Sequence, residues 1–335
     1  MSKGNIYVGI DLHKKQFDFV MMTCEGAVVG SGTCSTAFEA VADFASRLDR
    51  RHQVALEPLQ NSFWFIRQIR PYAGSVQLAN SGKVRLIAES RLKNDRIDAQ
   101  ILADLLRVGY LPTVYIPDDE VQQWRALVSH RIRLVRDRTR LKNRVLGQIN
   151  REGFRIAAAD PFGKKGRLEL DTLPLAVWLR SQVDVHLTQI DYLTTEIGAI
   201  DRQVEAVVAA DSVASLLCTV DGVGPFIALA VRSSIGEIER FRSAKAFAAY
   251  TGLIPGYRNS ADTVHTGPIT KQGVTTLRWA LTQSVNHAIR HSAYLKRLYH
   301  RVCFRSSVPK ARVAVAHALA RILYHVWMEA RPYYR

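Results

Sequence analysis

Asp11, Glu57, Asp95 and Asp98 are the residues whose type and spacing most directly suggest chemistry. Asp11 ends the apolar run Ile6-Tyr7-Val8-Gly9-Ile10, and Glu57 ends a second run, Gln53-Val54-Ala55-Leu56. If two such strands lie parallel and adjacent, their ends emerge on one carboxyl edge, where open α/β sheets place their sites. Asp95 and Asp98 stand three apart at the start of a helical pattern and so share a helix face. Four carboxylates brought to one point repel each other unless a cation sits among them. An all-oxygen donor set of this kind suits Mg²⁺ or Mn²⁺. Two such ions about 3.5–4 Å apart activate a nucleophile and steady the leaving oxygen in phosphoryl transfer. Taken singly, the same residues read as helix-start acids favoured by the macrodipole and as strand-end surface groups. Their joint placement favours the metal site.

The elements that must carry these residues are legible in outline. After the run ending at Asp11, Phe17 to Met21 and Ala27-Val28-Val29 follow at hairpin distances, with Gly26 in one turn. Phe38, Val41, Phe44 and Leu48 recur at helical spacing. A third run, Ser75-Val76-Gln77-Leu78, follows a helical segment around Phe63 to Ile69, and Ile97, Ile101, Leu102 and Leu105 mark another helix. Three leading strands and then alternating helix and strand predict an α/β sheet of about five strands.

From Val121 onward the pattern predicts helices only. Leu127, Leu134, Leu141, Val145 and Ile149 form one stripe of a long helix with arginines around the rest. A loop-like break over 157–174 holds Pro161, Gly163, Gly166 and Pro174. Leu179, Val183, Ile190, Leu193, Ile197, Ile200, Val204 and Val207 then step by threes and fours, interrupted by His186. That heptad seam predicts a coiled-coil arm or an antiparallel helix pair, and leaves open whether it dimerises or packs on the preceding basic helix. Thr219-Val220-Asp221-Gly222-Val223-Gly224-Pro225 resembles the hairpin of a helix-hairpin-helix, whose glycines let backbone N–H groups approach a phosphate. A Gly/Pro/Ser-rich loop is expected over 252–273, followed by amphipathic helices.

Charge narrows the partner. The chain of 335 residues carries 46 Lys+Arg against 30 Asp+Glu, a net charge of +16. Arg125 to Arg155 holds ten basic and two acidic residues, and Arg290 to Arg335 holds ten and one, which leaves the remainder near neutral. Localised positive charge implies a polyanion, with nucleic acid as the default because phosphate contacts dominate such affinity. Arg125, Arg131, Arg133, Arg136, Arg138, Arg140, Lys142 and Arg144 are the expected backbone contacts. Trp124, Tyr110, Tyr115, Tyr294, Tyr299, Phe304, Tyr324, Trp327, Tyr333 and Tyr334 interleave with the basic stretches as base-stacking candidates, although Tyr324 and Trp327 read better as core. A hydrophobic share of 47% excludes a disordered chain. The longest apolar runs, such as Phe226 to Val231, fall far short of the roughly 20 residues of a membrane span. Cys24, Cys34, Cys218 and Cys303 form no CxxC pair and lack His partners at zinc spacing, so they read as reduced. With no leader visible at Met1, the expected location is the cytoplasm.

Several of these pieces together carry a resemblance. Gly9-Ile10-Asp11-Leu12-His13-Lys14, then Glu57, then Lys93-Asn94-Asp95-Arg96-Ile97-Asp98-Ala99 resemble the DEDD, RuvC-like domain of the transposases of the IS-one-ten insertion-sequence family. Asp221-Gly222-Val223-Gly224-Pro225, Phe247-Ala248-Ala249-Tyr250-Thr251-Gly252-Leu253-Ile254-Pro255 and Gly267-Pro268-Ile269-Thr270-Lys271-Gln272-Gly273 with Leu277-Arg278 resemble that family's second domain. The resemblance implies three parts: an RNase H-like metal-binding domain over 1–118, a basic helix with coiled-coil arm over 119–210, and a helical transposase domain over 211–335. It also implies a homo-oligomeric recombinase, dimer to tetramer, acting on donor and target DNA under the guidance of a structured bridge RNA, on the nucleoid when active. Asp11, Glu57, Asp95 and Asp98 match the metal-binding positions.

The resemblance further implies a serine that attacks DNA, and Ser260 in Gly256-Tyr257-Arg258-Asn259-Ser260-Ala261-Asp262 matches it. Many members have Ser-Gly where this chain has Ser260-Ala261. Without the resemblance, Ser233, Ser234 and Ser284 stand equal to it, and Tyr257 is a rival nucleophile. Arg258, His265, Lys271 and Arg278 are placed to stabilise charge at phosphorus. His13 reads either as a ligand or phosphate contact, or as a solvated strand-end histidine. Two other readings compete: a RuvC-like nuclease or junction resolvase that uses metal-activated water, and a non-catalytic nucleic-acid-binding protein.

Overall fold

The computed structural model describes residues 4–87, 95–260 and 263–333; at 95, 255, 257–260, 263–266 and 268 it describes the backbone alone. The chain falls into two compact units, one ending at Ile116 and the other beginning at Pro117.

The first unit is a mixed sheet. Strands β1 (Ile6–Leu12), β2 (Gln16–Met22) and β3 (Val28–Ser35) run antiparallel. After helix α1 (Phe38–Ser46), β4 (His52–Leu56) returns parallel beside β1. Helix α2 (Ser62–Ile69) leads to β5 (Ser75–Ala79), parallel to β4. Helices α3 (Ser81–Ile87) and α4 (Asp95–Arg107) precede β6 (Thr113–Val114), antiparallel to β5. The order is β3-β2-β1-β4-β5-β6. The sixth strand has two residues, too few to leave an alternation in the sequence.

Alternation along β1 assigns its two faces. Val8, Ile10 and Leu12 join Val41, Phe44, Phe65, Ile66 and Ile69 in one core beneath α1 and α2. Phe17 is its centre, edge-on to Phe44 and to Phe65 at 5.0 Å each. Tyr7 and Gly9 face the other way, toward α4. Tyr7 packs with Leu102, Leu105 and Leu106, while Ala99 and Ala103 lie over Gly9, Val20 and Met22.

The second unit is mostly helical. Helix α5 (Asp119–Arg151) starts at Asp118, whose side chain accepts from the Val121 N–H at 2.7 Å. Helix α6 (Lys164–Thr172) lies within the stretch expected to be a loop, a single short amphipathic element between Gly163 and Pro174. Helix α7 (Val177–Ala210) carries the heptad seam. Val145 and Ile149, late in α5, pack with Leu179, Val183, Leu187 and Ile190, early in α7. Val121, Trp124, Val128 and Ile132, early in α5, pack with Ile200, Val204 and Val208, late in α7. The seam is therefore buried within the chain by an antiparallel pair. Trp124, a stacking candidate in the sequence, is core.

Helices α8 (Ser212–Leu217), α9 (Pro225–Ile235) and α10 (Ala244–Tyr250) follow. Next come β7 (Pro255–Ser260) and β8 (Thr263–Ile269), a two-stranded antiparallel ribbon where the sequence predicts a loop. Its Gly, Pro and Ser content hides an alternation that the ladder bonds enforce. Helices α11 (Thr275–His291), α12 (Ala293–Arg305) and α13 (Val308–Met328) complete the unit around Leu217, Val231, Phe247, Leu281, Leu319 and Leu323. Ala214, Leu229, Ala230 and Ala280 share a core with the α5–α7 pair, so residues on both sides of the expected 210/211 boundary are packed together.

The helix pair holds one polar layer. Gln148 Nε2 donates to Gln182 Oε1 at 2.8 Å, and the interior Gln148 Oε1 and His186 Nδ1 have no partner. Burial, aided by Arg144, pushes the His186 pKa below its ordinary 6.5. Burial and Arg321 act the same way on His317. Below pH 6.5 the unfolded chain therefore binds more protons than the folded one, and stability falls as pH drops through that value. Thermal unfolding followed from pH 7.5 to 5.5 is expected to show a falling midpoint, with a shallower fall in His186→Leu. An unchanged slope in that variant would remove His186 from the explanation.

Candidate active site and nucleic-acid face

Ile10 and Leu56 are the last paired residues of the parallel β1–β4 ladder. Asp11 and Glu57 come next, at the same carboxyl edge. Alternation puts both on the α4 side, with Gly9 and with Ala55. Asp11 is 8% exposed, and its Oδ2 lies 3.1 Å from His13 Nε2. Glu57 is half-buried, and its carbonyl accepts from the Ser62 hydroxyl at 3.2 Å.

The direction of α4 brings the remaining acids to that edge. Along β1, Tyr7 meets Leu106 and its neighbours while Gly9 meets Ala99, so α4 runs antiparallel to β1. Its N-terminal turn, with Asp95 and Asp98, accordingly lies toward Asp11. Asp98 is half-buried, and the Asp95 side chain lies outside the described residues. A methyl group at Gly9 would stand 1.9 Å from the Ala99 carbonyl oxygen and 2.5 Å from the Ala103 nitrogen. Only glycine permits this approach.

The edge also holds groups that the sequence reading did not single out. Asp18 pairs directly with Asp11 across the β1–β2 ladder and accepts from the Thr33 hydroxyl. Asn61 reaches the His13 carbonyl with Nδ2 at 3.5 Å, while its Oδ1 is buried without a donor. Asp18 is placed by the hairpin register of the folded sheet, and nothing in the sequence marks Asn61. Among the described residues no three metal-ligating side chains are grouped closely enough to hold an ion. The donors are nonetheless hard oxygens, and the undonated Asn61 Oδ1 is an acceptor of the same type. The set fits a divalent cation such as Mg²⁺.

In the second unit, Ser260 closes β7 and pairs with Thr263, so it sits at the end of a ribbon strand. Ser233, Ser234 and Ser284 are all under 5% exposed, which closes them to a large substrate. The side chains of Arg258, Tyr257 and His265 lie outside the described residues. Lys271 is exposed, and Arg278 donates to its carbonyl at 3.1 Å, tying the turn ahead of α11. In the hairpin between α8 and α9, Gly222 has φ +85° and would press a Cβ to 2.6 Å from the Ala288 nitrogen. Its place is explained by packing against α11 rather than by phosphate approach.

The arginines of α5 divide by environment. Arg125 donates to the carbonyls of Ser233 (2.7 Å) and Ser234 (3.2 Å), late in α9, where the helix dipole favours a cation. Arg131 pairs with Asp201 of α7 and covers the Phe226 ring at 4.1 Å. Arg138 reaches Thr194 Oγ1 at 3.3 Å, and Lys142 stands 5.0 Å from the Phe162 centroid. Arg133, Arg136, Arg140, Arg144 and Arg151 are exposed, and steps of three, four, four and seven line them along one side of the helix. Arg140 pairs only with its helix neighbour Asp137, at 3.1 Å, among the described residues.

Residues 8–151 match a family model described as a transposase, of the DEDD type of IS110, and residues 214–300 match the transposase IS116/IS110/IS902 family. The chain belongs to this transposase family. A probable family 20 transposase of Pseudomonas aeruginosa is 27% identical over 332 residues, 95% of each chain. The transposase for insertion sequence element IS1111A of Coxiella burnetii is 28% identical over 69% of this chain and 66% of its own. A putative transposase of Sinorhizobium fredii is 27% identical over 84% and 74%.

The first of the transposase models spans most of the sheet unit and all of α5, and the second runs from α8 into α12. The family is one of DNA-recombining enzymes, and its DEDD class points to a divalent metal. Among the described residues no helix is long and apolar enough to cross a membrane.

Gly9→Ala is expected to lift α4 off β1 and destabilise the N-terminal unit by about 1–3 kcal/mol. Chemical unfolding measures this. An unchanged midpoint would mean that α4 does not lie where the Ala99 contact puts it.

Proposed function

We propose that this transposase cleaves and exchanges DNA strands by transesterification, with Asp11, Glu57, Asp95 and Asp98 holding Mg²⁺ and Ser260 as the nucleophile. The observation that carries the reading is the shared edge: Asp11 and Glu57 each directly follow the last pair, Ile10 and Leu56, of a parallel ladder, with the α4 N-terminus directed to them. A sheet of this order, antiparallel at first and then parallel, is compatible with an RNase H-like domain. His13, 3.1 Å from Asp11, is placed to orient that carboxylate.

A divalent ion held by these carboxylates would lower the cost of deprotonating a hydroxyl and would neutralise charge growing on a phosphate. The Ser260 oxygen attacks phosphorus and gives its proton to a base. The bond from phosphorus to one strand end breaks, and that end leaves as a hydroxyl. Attack by a different strand end then restores a phosphodiester and frees the serine. One ester bond is conserved throughout, so exchange needs no external energy source. Arg258 and His265 belong to the ribbon, Lys271 to the turn after it and Arg278 to the first turn of α11, and we place them as the cations facing the phosphate. A structured bridge RNA and a homo-oligomer, dimer to tetramer, complete the reading; the exposed arginines of α5 grip a nucleic-acid backbone.

Asp11→Asn is expected to lower cleavage by roughly a hundredfold or more while DNA binding persists. Ser260→Ala is expected to abolish the covalent protein–DNA adduct together with recombination. Adduct at normal yield would sink the serine; cleavage without adduct in that variant would favour metal-activated water.

Exposed and engaged arginines separate in a salt titration. Arg133→Gln, Arg136→Gln and Arg140→Gln are each expected to reduce the slope of log affinity against log salt by about one, with RNA transcribed from the element's flanking non-coding DNA as the probe. Arg131→Gln is expected to leave the slope alone and lower the unfolding temperature. Identical slopes in all four would remove the α5 stripe from the interface.

A further inference from the structure

A cavity of about 800 Å³ opens between α12, α13 and the segment that follows α13. It is within the size range of small-ligand sites, about 300–1,000 Å³. Its floor is apolar, from Leu298, Ile322 and Val326. Two tyrosines stand in its walls: Tyr294, 52% exposed on α12, and Tyr333 opposite in sequence position, on the returning segment. That segment is tied down by the Tyr333 N–H, which donates to Thr219 Oγ1 at 2.9 Å. Arg321 and Arg331 add two exposed guanidiniums, neither in an ion pair among the described residues. The cavity's one carboxylate, Glu329, is matched by His325 at 3.2 Å. The balance is an apolar slot with phenol walls and unspent positive charge.

We propose that this cavity binds a single unpaired nucleotide, taking the base between its aromatic and apolar walls and the phosphate on Arg321 and Arg331. A bare phosphate would leave the apolar floor and the tyrosines unused. A purely apolar ligand would bring no partner for the guanidiniums. A nucleotide satisfies both, because every base has a π face and every nucleotide has an anionic group. A base inside a duplex cannot enter, since its faces are already stacked on its neighbours. The reading is independent of the carboxylate edge and of Ser260.

Fluorescence anisotropy on the full-length protein tests it, with a labelled single-stranded oligonucleotide, the same sequence as a duplex, and adenosine monophosphate as competitor. Tyr294→Ala, and Arg321→Ala with Arg331→Ala, are expected to weaken single-strand binding about tenfold and leave duplex binding unchanged, with Tyr294→Phe retaining the wild-type affinity. All the substituted positions are exposed, and unfolding temperature verifies that each variant is folded. Displacement of the single strand by the mononucleotide would show that the pocket takes free nucleotides as well. No displacement would confine it to a nucleotide within a strand. Equal losses on single strand and duplex, or no loss on single strand, would overturn the proposal. Adduct formation at Ser260 is a separate readout, so failure here leaves the recombinase reading standing.

Discussion

The backbone of α4 rests directly on β1 at Gly9, and the first unit is arranged around that contact. Packed elements are normally held apart by interdigitating side chains from both sides. Here β1 contributes none at the point of contact, and α4 contributes the methyls of Ala99 and Ala103. The close approach fixes the axial position of the helix. It also fixes where the first turn of α4 ends up, because that turn is four residues before Ala99. Two acids fall there and a third, Asp11, is two residues beyond the glycine on the strand. The positions of three acids thus follow from one missing side chain.

The elements of the first unit were legible in the sequence because most run long enough to show their period. Val8, Ile10 and Leu12 alternate with Tyr7, Gly9 and Asp11, and the parallel return of β4 follows from the helix between them. Two features were not legible. The pairing of Asp18 with Asp11 depends on hairpin register, which a one-residue slip would reverse. The involvement of Asn61 depends on a turn whose path only tertiary structure sets. In the second unit the ribbon β7–β8 escaped notice for a compositional reason. Its strands use Pro255, Gly256, Asn259, Gly267 and Pro268, residues that normally mark loops, and the ladder holds them regardless.

Charge was legible as an amount but not as an arrangement. The arginines of α5 look alike in sequence, yet Arg125 and Arg131 are consumed by carbonyls and a carboxylate of the same unit, whereas Arg133, Arg136, Arg140, Arg144 and Arg151 face solvent. The distinction comes from which side of α5 meets α7 and α9, and periodicity placed the seam without naming both partners. The same seam left the choice between self-association and internal pairing open, and the internal partner proved to be α5.

The exposed arginines of α5 also form a ruler. Arg133 and Arg151 are eighteen residues apart on one continuous helix, a span of about 27 Å at 1.5 Å per residue. That equals about eight steps of a nucleic-acid strand at 3.4 Å each. A flexible linker carrying the same five charges would accept any spacing of phosphates. A helix clamped by α7 would accept one, so under the proposed contact the stripe would register a length as well as a charge. Insertion or deletion of even one residue between Arg136 and Arg144 would rotate the marks beyond it by 100° relative to those before it, while leaving the count of charges intact.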